Sequence, residues 1–462
     1  MSIYRQVISS LIVCCQMLSL SLLYVWPSST IMTFASKDTP LDRPMTDMEL
    51  NFFGSLFPIM SFVATPLPAY LIDVFGRKKS CLLLAFPQVI AWTLISFCNK
   101  VEIILTAACI GGITGCQLLI VPLYIVEISQ ENIRGTLTAG TTVLCGVGNA
   151  LSYGLGGILT YRVMNYVSLT IVTVAFILLT FVKESPTFLM KKNREEEAAK
   201  SIAYYRSAKV DDKEVINEMN VLRNFLNSTL DDSPEEEKLK TDSITKKKIS
   251  TLQFIRKSRS TRRGLFLILS ILFLTTIQGM PMVLVYSKPI FHEAMPSISA
   301  SATSILIAMV NLVSGLFSAY MLDVVGRRII FMYAAMVTCI SSIALGTQMV
   351  FHFAPNWTIV VYIIVYCISY TIGSGTVPFV LMAEMFLPEV KGILTVAALE
   401  WLWTCIFFTL FLFNPIVKLL GVGIIFYFFA FASLATFVFS YFHLIETKGL
   451  PVNVIQTLLI KK

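Results

Sequence analysis

Long runs without a single Asp, Glu, Lys or Arg constrain this chain more than any other feature. The first half holds Gln6–Ser36, Asn51–Ile72, Ser80–Asn99, Ile103–Val126, Gly135–Tyr161 and Val163–Val182. The second holds Gly264–Ser287, Ala294–Leu322, Ile329–Ala383 and Gly421–Ile445. About 20 apolar residues cross the hydrocarbon of a bilayer. Charged residues make up 14% of the chain, where a soluble domain carries roughly 25%. Ile329–Ala383 is too long for one span and divides at the turn-like His352–Asn356. Gly392–Val417, interrupted only by Glu400, supplies the last. The pattern predicts an all-α membrane protein with twelve transmembrane helices. The opening run follows a single Arg5 and lacks a small-residue cleavage site, so it reads as the first helix and not as a removed signal peptide.

A charged signature then returns at half the chain length. Asp73-x-x-Gly76-Arg77-Lys78 recurs as Asp323-x-x-Gly326-Arg327-Arg328, 323 − 73 = 250 residues later. Glu127 stands seven residues before Arg134-Gly135, and Glu384 seven before Lys391-Gly392, an offset of 384 − 127 = 257. Each half ends on an acidic tag, Glu184-Ser185-Pro186 and Glu446-Thr447-Lys448-Gly449. Matched pairs at nearly one offset imply two six-helix halves descended from one unit, the plan of many secondary transporters with a mid-membrane site between repeats. The expected division is residues 1–182 and 264–446 as the halves, 183–263 as an inserted loop, and 447–462 as a tail.

The net charge of +8 encodes orientation, not nucleic-acid binding. Lys183–Arg263 carries 19 Lys+Arg against 14 Asp+Glu, and the short basic connections at Arg77–Lys79, Arg134, Arg327-Arg328 and Lys391 fall on the same side. The positive-inside rule places that side and both termini in the cytosol. Within the insert, Asn193–Leu226 has helical composition with apolar positions such as Ile202, Tyr205, Val215, Met219 and Leu222, which predicts short amphipathic helices beneath the bundle. Asp231–Lys248 has no apolar period and reads as linker. The sequon at Asn227 is then on the wrong side for glycosylation, and the one at Asn356 lies close to a span.

Catalytic and metal chemistry find no support. The ten cysteines sit mostly inside apolar runs and read as small hydrophobes, and His292, His352 and His443 lie at span ends. Gly146-x-Gly148 has no preceding strand and reads as a close helix contact, not a nucleotide loop. The chain calls for no cofactor, and its expected partners are a small-molecule solute and the lipid bilayer, with the protein a monomer.

Together, the duplicated Asp-x-x-Gly-Arg turns, Tyr124-x-x-Glu127 with Arg134-Gly135, Glu184-Ser185-Pro186, Glu384 and Glu446-Thr447-Lys448-Gly449 resemble the sugar porter branch of the major facilitator superfamily. The resemblance covers nearly the whole chain. Arg134-Gly135-Thr136-Leu137, with Thr142 downstream, is most similar to the insect facilitated trehalose transporters. It implies a facilitative plasma-membrane carrier of a hexose or trehalose-like disaccharide working by alternating access. The residues by themselves place Asp73, Arg77, Glu127, Arg134, Glu184, Asp323, Arg327, Glu384 and Glu446 at the inner helix ends. There carboxylates and guanidinium groups pair across helices and form a latch between halves when the outside is open. The alternative is that they only anchor loops at the headgroups.

By the same resemblance, sugar hydroxyls are held by polar residues of the fifth, seventh, eighth and tenth helices. Asn311 matches an eighth-helix asparagine and Trp403 an eleventh-helix aromatic. Elsewhere the polar set thins: Thr142 stands for a glutamine, Thr275-Thr276 for a Gln-Gln pair with Gln278 displaced by two, Thr371 for a glutamate and Phe379 for a tryptophan. Glu400 is an acid inside the eleventh span, a functional candidate by default. It shares a helix face with Trp403 and lies about 12 Å above the inner end of its helix. It either meets a proton or cationic group, or pairs in the inner vestibule. No charged residue occurs in Gln6–Ser36 or Ile103–Val126, which points to uniport. The readings left open are a non-sugar solute carrier and a sugar sensor that does not transport.

Overall fold

The computed structural model describes residues 3–231, 258–294, 299–450 and 452–461, and these are helical with short connections. The linker expected at Asp231–Lys248 lies, but for Asp231, outside the described residues, and only the backbone of Asp323 is described. The first half runs α1 (Tyr4–Tyr24), α2 (Trp26–Ala35), α3 (Asp47–Ala64), α4 (Leu67–Phe75), α5 (Arg77–Phe97), α6 (Val101–Gly112), a 3₁₀ turn, α7 (Gln117–Ile128), α8 (Glu131–Ile158) and α9 (Tyr161–Thr180). The short α10 (Pro186–Lys191), α11 (Glu195–Arg206) and α12 (Lys213–Asp231) follow. The second half runs α13 (Arg259–Ile277), α14 (Met280–Val285), α15 (Ser287–Ala294), α16 (Ala300–Val325), α17 (Arg327–Phe351), α18 (Trp357–Ile372), α19 (Val377–Met385), α20 (Pro388–Leu420) and α21 (Val422–His443), closing with α22 (Val452–Lys461).

Several breaks follow from single residues. Trp26-Pro27 starts a new helix after Val25, because proline is suited to a first turn and cannot continue one. Pro66 and Pro68 bend α3 against α4 by 50°. Between α17 and α18, His352 takes a left-handed conformation at φ 47, which divides the longest apolar run where the turn-like residues predict it. Ten helices are long and apolar enough to cross a membrane among the described residues, or eleven if α3 and α4 form one span. The remaining long helix, α8, has 28 residues but is diluted by Gly and Thr and is not counted on that ground.

The insert helices form their own small core. Ile202, Val215 and Met219 pack with Phe188 and Leu189, with Leu222 partly buried against them. Tyr205 is buried in the main core. Arg206 anchors the unit to the bundle, donating to Ile128 O at 3.1 Å and to Glu218 at 2.5 Å. The face carrying both termini, these helices and both Gly-Arg turns is called the basic face below.

The halves meet along α8 against α16 and α3 against α20. Glycine makes the first approach possible: a Cβ at Gly146 would stand 2.9 Å from Leu312, and one at Gly157 2.7 Å from Ser301. The face opposite the basic one is sealed. Tyr153 donates to Leu284 O at 2.6 Å, Lys288 N to Ser28 Oγ at 3.0 Å, and Lys418 pairs with Asp47 at 2.6 Å. Phe52 lies 5.2 Å from Phe411, and the Tyr286 hydroxyl fills the space a Cβ on Gly54 would need, 2.1 Å away. Toward the basic face the helix ends part, leaving Gly135, Thr136, Gly392 and Ile393 exposed. The conformation is closed on the far face and open on the basic one.

That closure depends on the missing side chain at position 54. Gly54→Leu is expected to keep the protein folded but exclude this conformation. Spin labels at Asp47 and Lys418 should then show a longer distance than in the otherwise unmodified protein; an unchanged distance would contradict the seal.

Candidate functional site

Asn311 lies in α16, 11 residues from its start, which sets it about 17 Å inside that end of the helix. Its Oδ1 accepts a hydrogen bond from Thr371 of α18 at 3.0 Å, while its Nδ2 is buried and without a partner. A buried donor left unmade costs about 1–3 kcal/mol, so the site holds an amide N–H ready for an incoming acceptor. One turn on, Gly315 has no side chain to fill the space between Thr142 Cγ2, 3.4 Å from a Cβ placed there, and Thr371 Cγ2, at 3.9 Å. Thr142 comes from α8 of the other half and is exposed toward the opening. Thus Asn311, Thr371 and Thr142, from three helices, converge where the halves meet at mid-depth.

Trp403 of α20 crosses the same interface. Its ring lies 6.1 Å from Phe57 and within 3.2 Å of the Cβ position of Gly115, both in the first half. Trp403 and Phe57 are themselves buried in the seam, and the half-buried Tyr24 lies 5.4 Å from Phe57. Sequence reasoning does not single out Tyr24, Phe57 or Gly115; nothing local separates them from the other aromatics and glycines of the spans.

Three of the expected ligands are otherwise engaged. Gln278 is fully buried, donating to Thr436 at 2.7 Å and accepting from Ser374 at 2.7 Å, while its carbonyl takes the Tyr366 hydroxyl at 2.8 Å. It ties α13 to α18 and α21, and its displacement by two positions explains why it turns away from the cleft. Thr275 and Thr276 are buried and donate to their own helix, to Ile271 O at 2.9 Å and Leu272 O at 2.7 Å. Such back-bonding satisfies a hydroxyl that has no neighbour in apolar surroundings. Phe379 is exposed on α19 and no ring contact joins it to Trp403. Glu400 is half-buried and its carboxylate has no partner among the described residues; only its carbonyl is engaged, by Thr404 at 2.8 Å.

On the basic face the duplicated charges build two matching clusters. In the first, Arg77 Nη2 meets Glu127 Oε1 at 2.7 Å, Ser185 donates to the other Glu127 oxygen, and Glu184 Oε1 accepts from the backbone N–H groups of Arg77 at 2.8 Å and Lys78 at 3.0 Å. In the second, Arg327 meets Glu384 at 2.9 Å, Thr447 donates to Glu384 at 2.6 Å, and Glu446 accepts from the N–H groups of Arg327 at 2.9 Å and Arg328 at 3.1 Å. Glu184 and Glu446 each cap the unsatisfied start of a helix, where the helix dipole also favours a carboxylate. Glycine is required for this: Gly76 sits at φ 90 and Gly326 at φ 110, and a Cβ would stand 2.6 Å from Glu184 and 2.8 Å from Glu446.

The latch between halves is expected with the outside open, and this conformation, closed on that face, holds the clusters in another arrangement. Neither reaches across the seam: each ties one half to the segment that directly follows it. Arg134 has a buried Nε without a partner, and Asp73 is exposed and forms no ion pair among the described residues.

Two helical halves, sealed at one face, open at the other and lined with polar groups between, define a membrane carrier. The profile of the family described as "Sugar (and other) transporter" matches residues 21–459, and the chain belongs to that family. It is 24% identical over 420 residues to the facilitated trehalose transporter Tret1 of Polypedilum vanderplanki, a match covering 89% of this chain and 80% of the relative. To Tret1 of Apis mellifera ligustica it is 23% identical over 437 residues, covering 93% and 83%. Among solved structures, the inward open conformation of the xylose transporter XylE from E. coli superposes with a TM-score of 0.78 at 17% identity, covering 97% of this chain and 98% of that one. The chain is a multi-pass membrane transporter of the major facilitator fold and not an enzyme.

The glycine turns yield a direct test. Gly76→Ala combines a strained φ with a clash against Glu184 and is expected to cost about 1–3 kcal/mol, lowering the thermal unfolding midpoint. Gly135→Ala, in a helix with nothing within 4 Å of the added carbon, should leave the midpoint unchanged or raise it. Equal midpoints for the two variants would contradict the assigned role.

Proposed function

We propose that this protein is a facilitative carrier of a sugar, a hexose or a trehalose-like disaccharide, working by alternating access at the plasma membrane. The observation that carries the proposal is the unpartnered Asn311 amide donor beside Thr371 and Thr142 at mid-depth between the halves. An amide N–H suits a sugar hydroxyl acceptor, and the half-buried Tyr24, backed by the buried Trp403 and Phe57, suits the apolar face of a pyranose. Only a few side chains offer polar contacts. A ligand held this loosely favours release over tight capture, as a carrier running down a gradient needs.

In the proposed topology the basic face is cytosolic with both termini on it. Helix α8, which turns Gly146 and Gly157 to the other half, makes the twelfth span. The halves comprise residues 1–182 and 264–446, flanking the 183–263 insert, with 447–462 as a tail on a monomeric carrier. Arg134 and Asp73, idle in the inward-open conformation, gain partners across the halves when the inner ends close. Arg77, Glu127, Glu184, Arg327, Glu384 and Glu446 keep each half rigid through the cycle, and Asp323 takes in the second half the place of Asp73.

Uptake into proteoliposomes tests the site. Asn311→Ala should raise the KM for the transported sugar roughly 10-fold, the loss of one hydrogen bond of about 1 kcal/mol or more, with the protein still folded. An unchanged KM would remove Asn311 from the site. A protonophore should leave equilibration of the sugar unchanged, and Glu400→Gln should leave sugar flux intact. Accumulation against a gradient that the protonophore collapses would refute uniport.

A further inference from the structure

Three arginines stand together on one face of the first turns of α13. Arg259, Arg262 and Arg263 border an open surface depression together with Phe266. No carboxylate pairs with any of the three among the described residues, whereas Arg77, Arg194, Arg206, Arg223 and Arg327 on the same face all have one. Arg263 is held by the end of α22, donating to Leu459 O at 3.0 Å and Ile460 O at 2.8 Å. Arg259 and Arg262 remain exposed.

Their position is electrostatically costly as it stands. The first turn of a helix carries the positive end of its dipole, where cations are disfavoured and anions favoured. The sequence raises the charge further: Lys246–Lys248, Arg256 and Lys257 precede these arginines, and no Asp or Glu occurs from Ser243 to Arg263. One turn along the helix, Phe266 is 66% exposed, an apolar ring just above the charges. An apolar wall over a cationic floor, at the point where a spanning helix leaves the bilayer, matches a phospholipid with its acyl chain above and its phosphate below. Basic clusters directly beneath a transmembrane helix attract anionic headgroups, at about 1 kcal/mol per cation.

We propose that the exposed face of α13 carrying Arg259, Arg262, Arg263 and Phe266 is a binding surface for an anionic phospholipid of the leaflet on the basic face. The occupant is a lipid and not a free phosphate, because Phe266 has a use only for an acyl chain. By joining α13 to α22 through Arg263, the bound headgroup braces the start of the second half. The proposal is independent of which solute the carrier moves. It rests on the basic face meeting the inner leaflet only for the identity of that leaflet.

The test uses the full chain in detergent, where orientation and transport play no part. Adding phosphatidylinositol 4,5-bisphosphate should raise the thermal unfolding midpoint, phosphatidylcholine should not, and 1 M NaCl should abolish the effect, since the Debye length falls to about 3 Å. The R259Q/R262Q variant should need about 30-fold more lipid for the same rise. The K191Q/K200Q variant, with the same charge removed from the insert, should respond as the unmodified protein does. An equal response from R259Q/R262Q, or no rise with the anionic lipid, would overturn the proposal. If soluble inositol trisphosphate alone produces the rise, the site takes free phosphate and the lipid assignment fails. Should R259Q/R262Q not fold, loss or survival of the rise in salt decides for the unmodified chain.

Discussion

A carboxylate reaching back to cap the helix that follows a left-handed glycine is the interaction on which this architecture turns. Glu184 does it for α5 and Glu446 for α17, and each also ties the last span of its half to the second and third. The buried Arg77–Glu127 pair closes the same loop; breaking such a pair by removing one partner costs 3–5 kcal/mol, roughly, because a charge is left behind in low dielectric. Each half therefore carries its own brace, and relative motion is confined to the seam between them.

The seam is built for that motion. It is lined with glycine where helices come closest, at Gly54, Gly146 and Gly157, and its strongest contacts are aromatic or single hydrogen bonds. The exposed Lys418–Asp47 pair adds little, since such surface pairs contribute about 0–1 kcal/mol. Rigid halves joined by weak, separable contacts can rock at small cost. The polar cluster of Asn311, Thr371 and Thr142 sits at the pivot, where either face of the membrane can reach it.

Much of this was legible in the sequence, for physical reasons that differ from one feature to the next. Membrane spans announce themselves through missing charge, and the repeated turn through a glycine at positive φ, so the division at His352 and the insert helices follow from local signals. Asn311 and Thr371 were legible from the resemblance to sugar porters. Gln278, Thr275 and Thr276 were not, since whether a polar group faces the cleft or its own half depends on a break at Gly279 that places Phe429 2.2 Å from its Cβ position. Tyr24 and Phe57 escaped because their role comes from the packing of three helices. The clusters on the basic face do not reach across the seam, a matter of conformational state that sequence does not specify.

Distance measurements across the basic face test the central claim most directly. Spin labels at Val74 and Ile393, both exposed at helix ends of opposite halves on the basic face, report the gap between halves, and labels at the exposed Lys79 and Asn132 report one half alone. Rigid halves rocking about the seam predict at least two populated distances for the first pair, with a transported sugar shifting their balance, and one constant distance for the second. A single fixed distance across the halves, or a second pair that changes as the first does, would contradict the account.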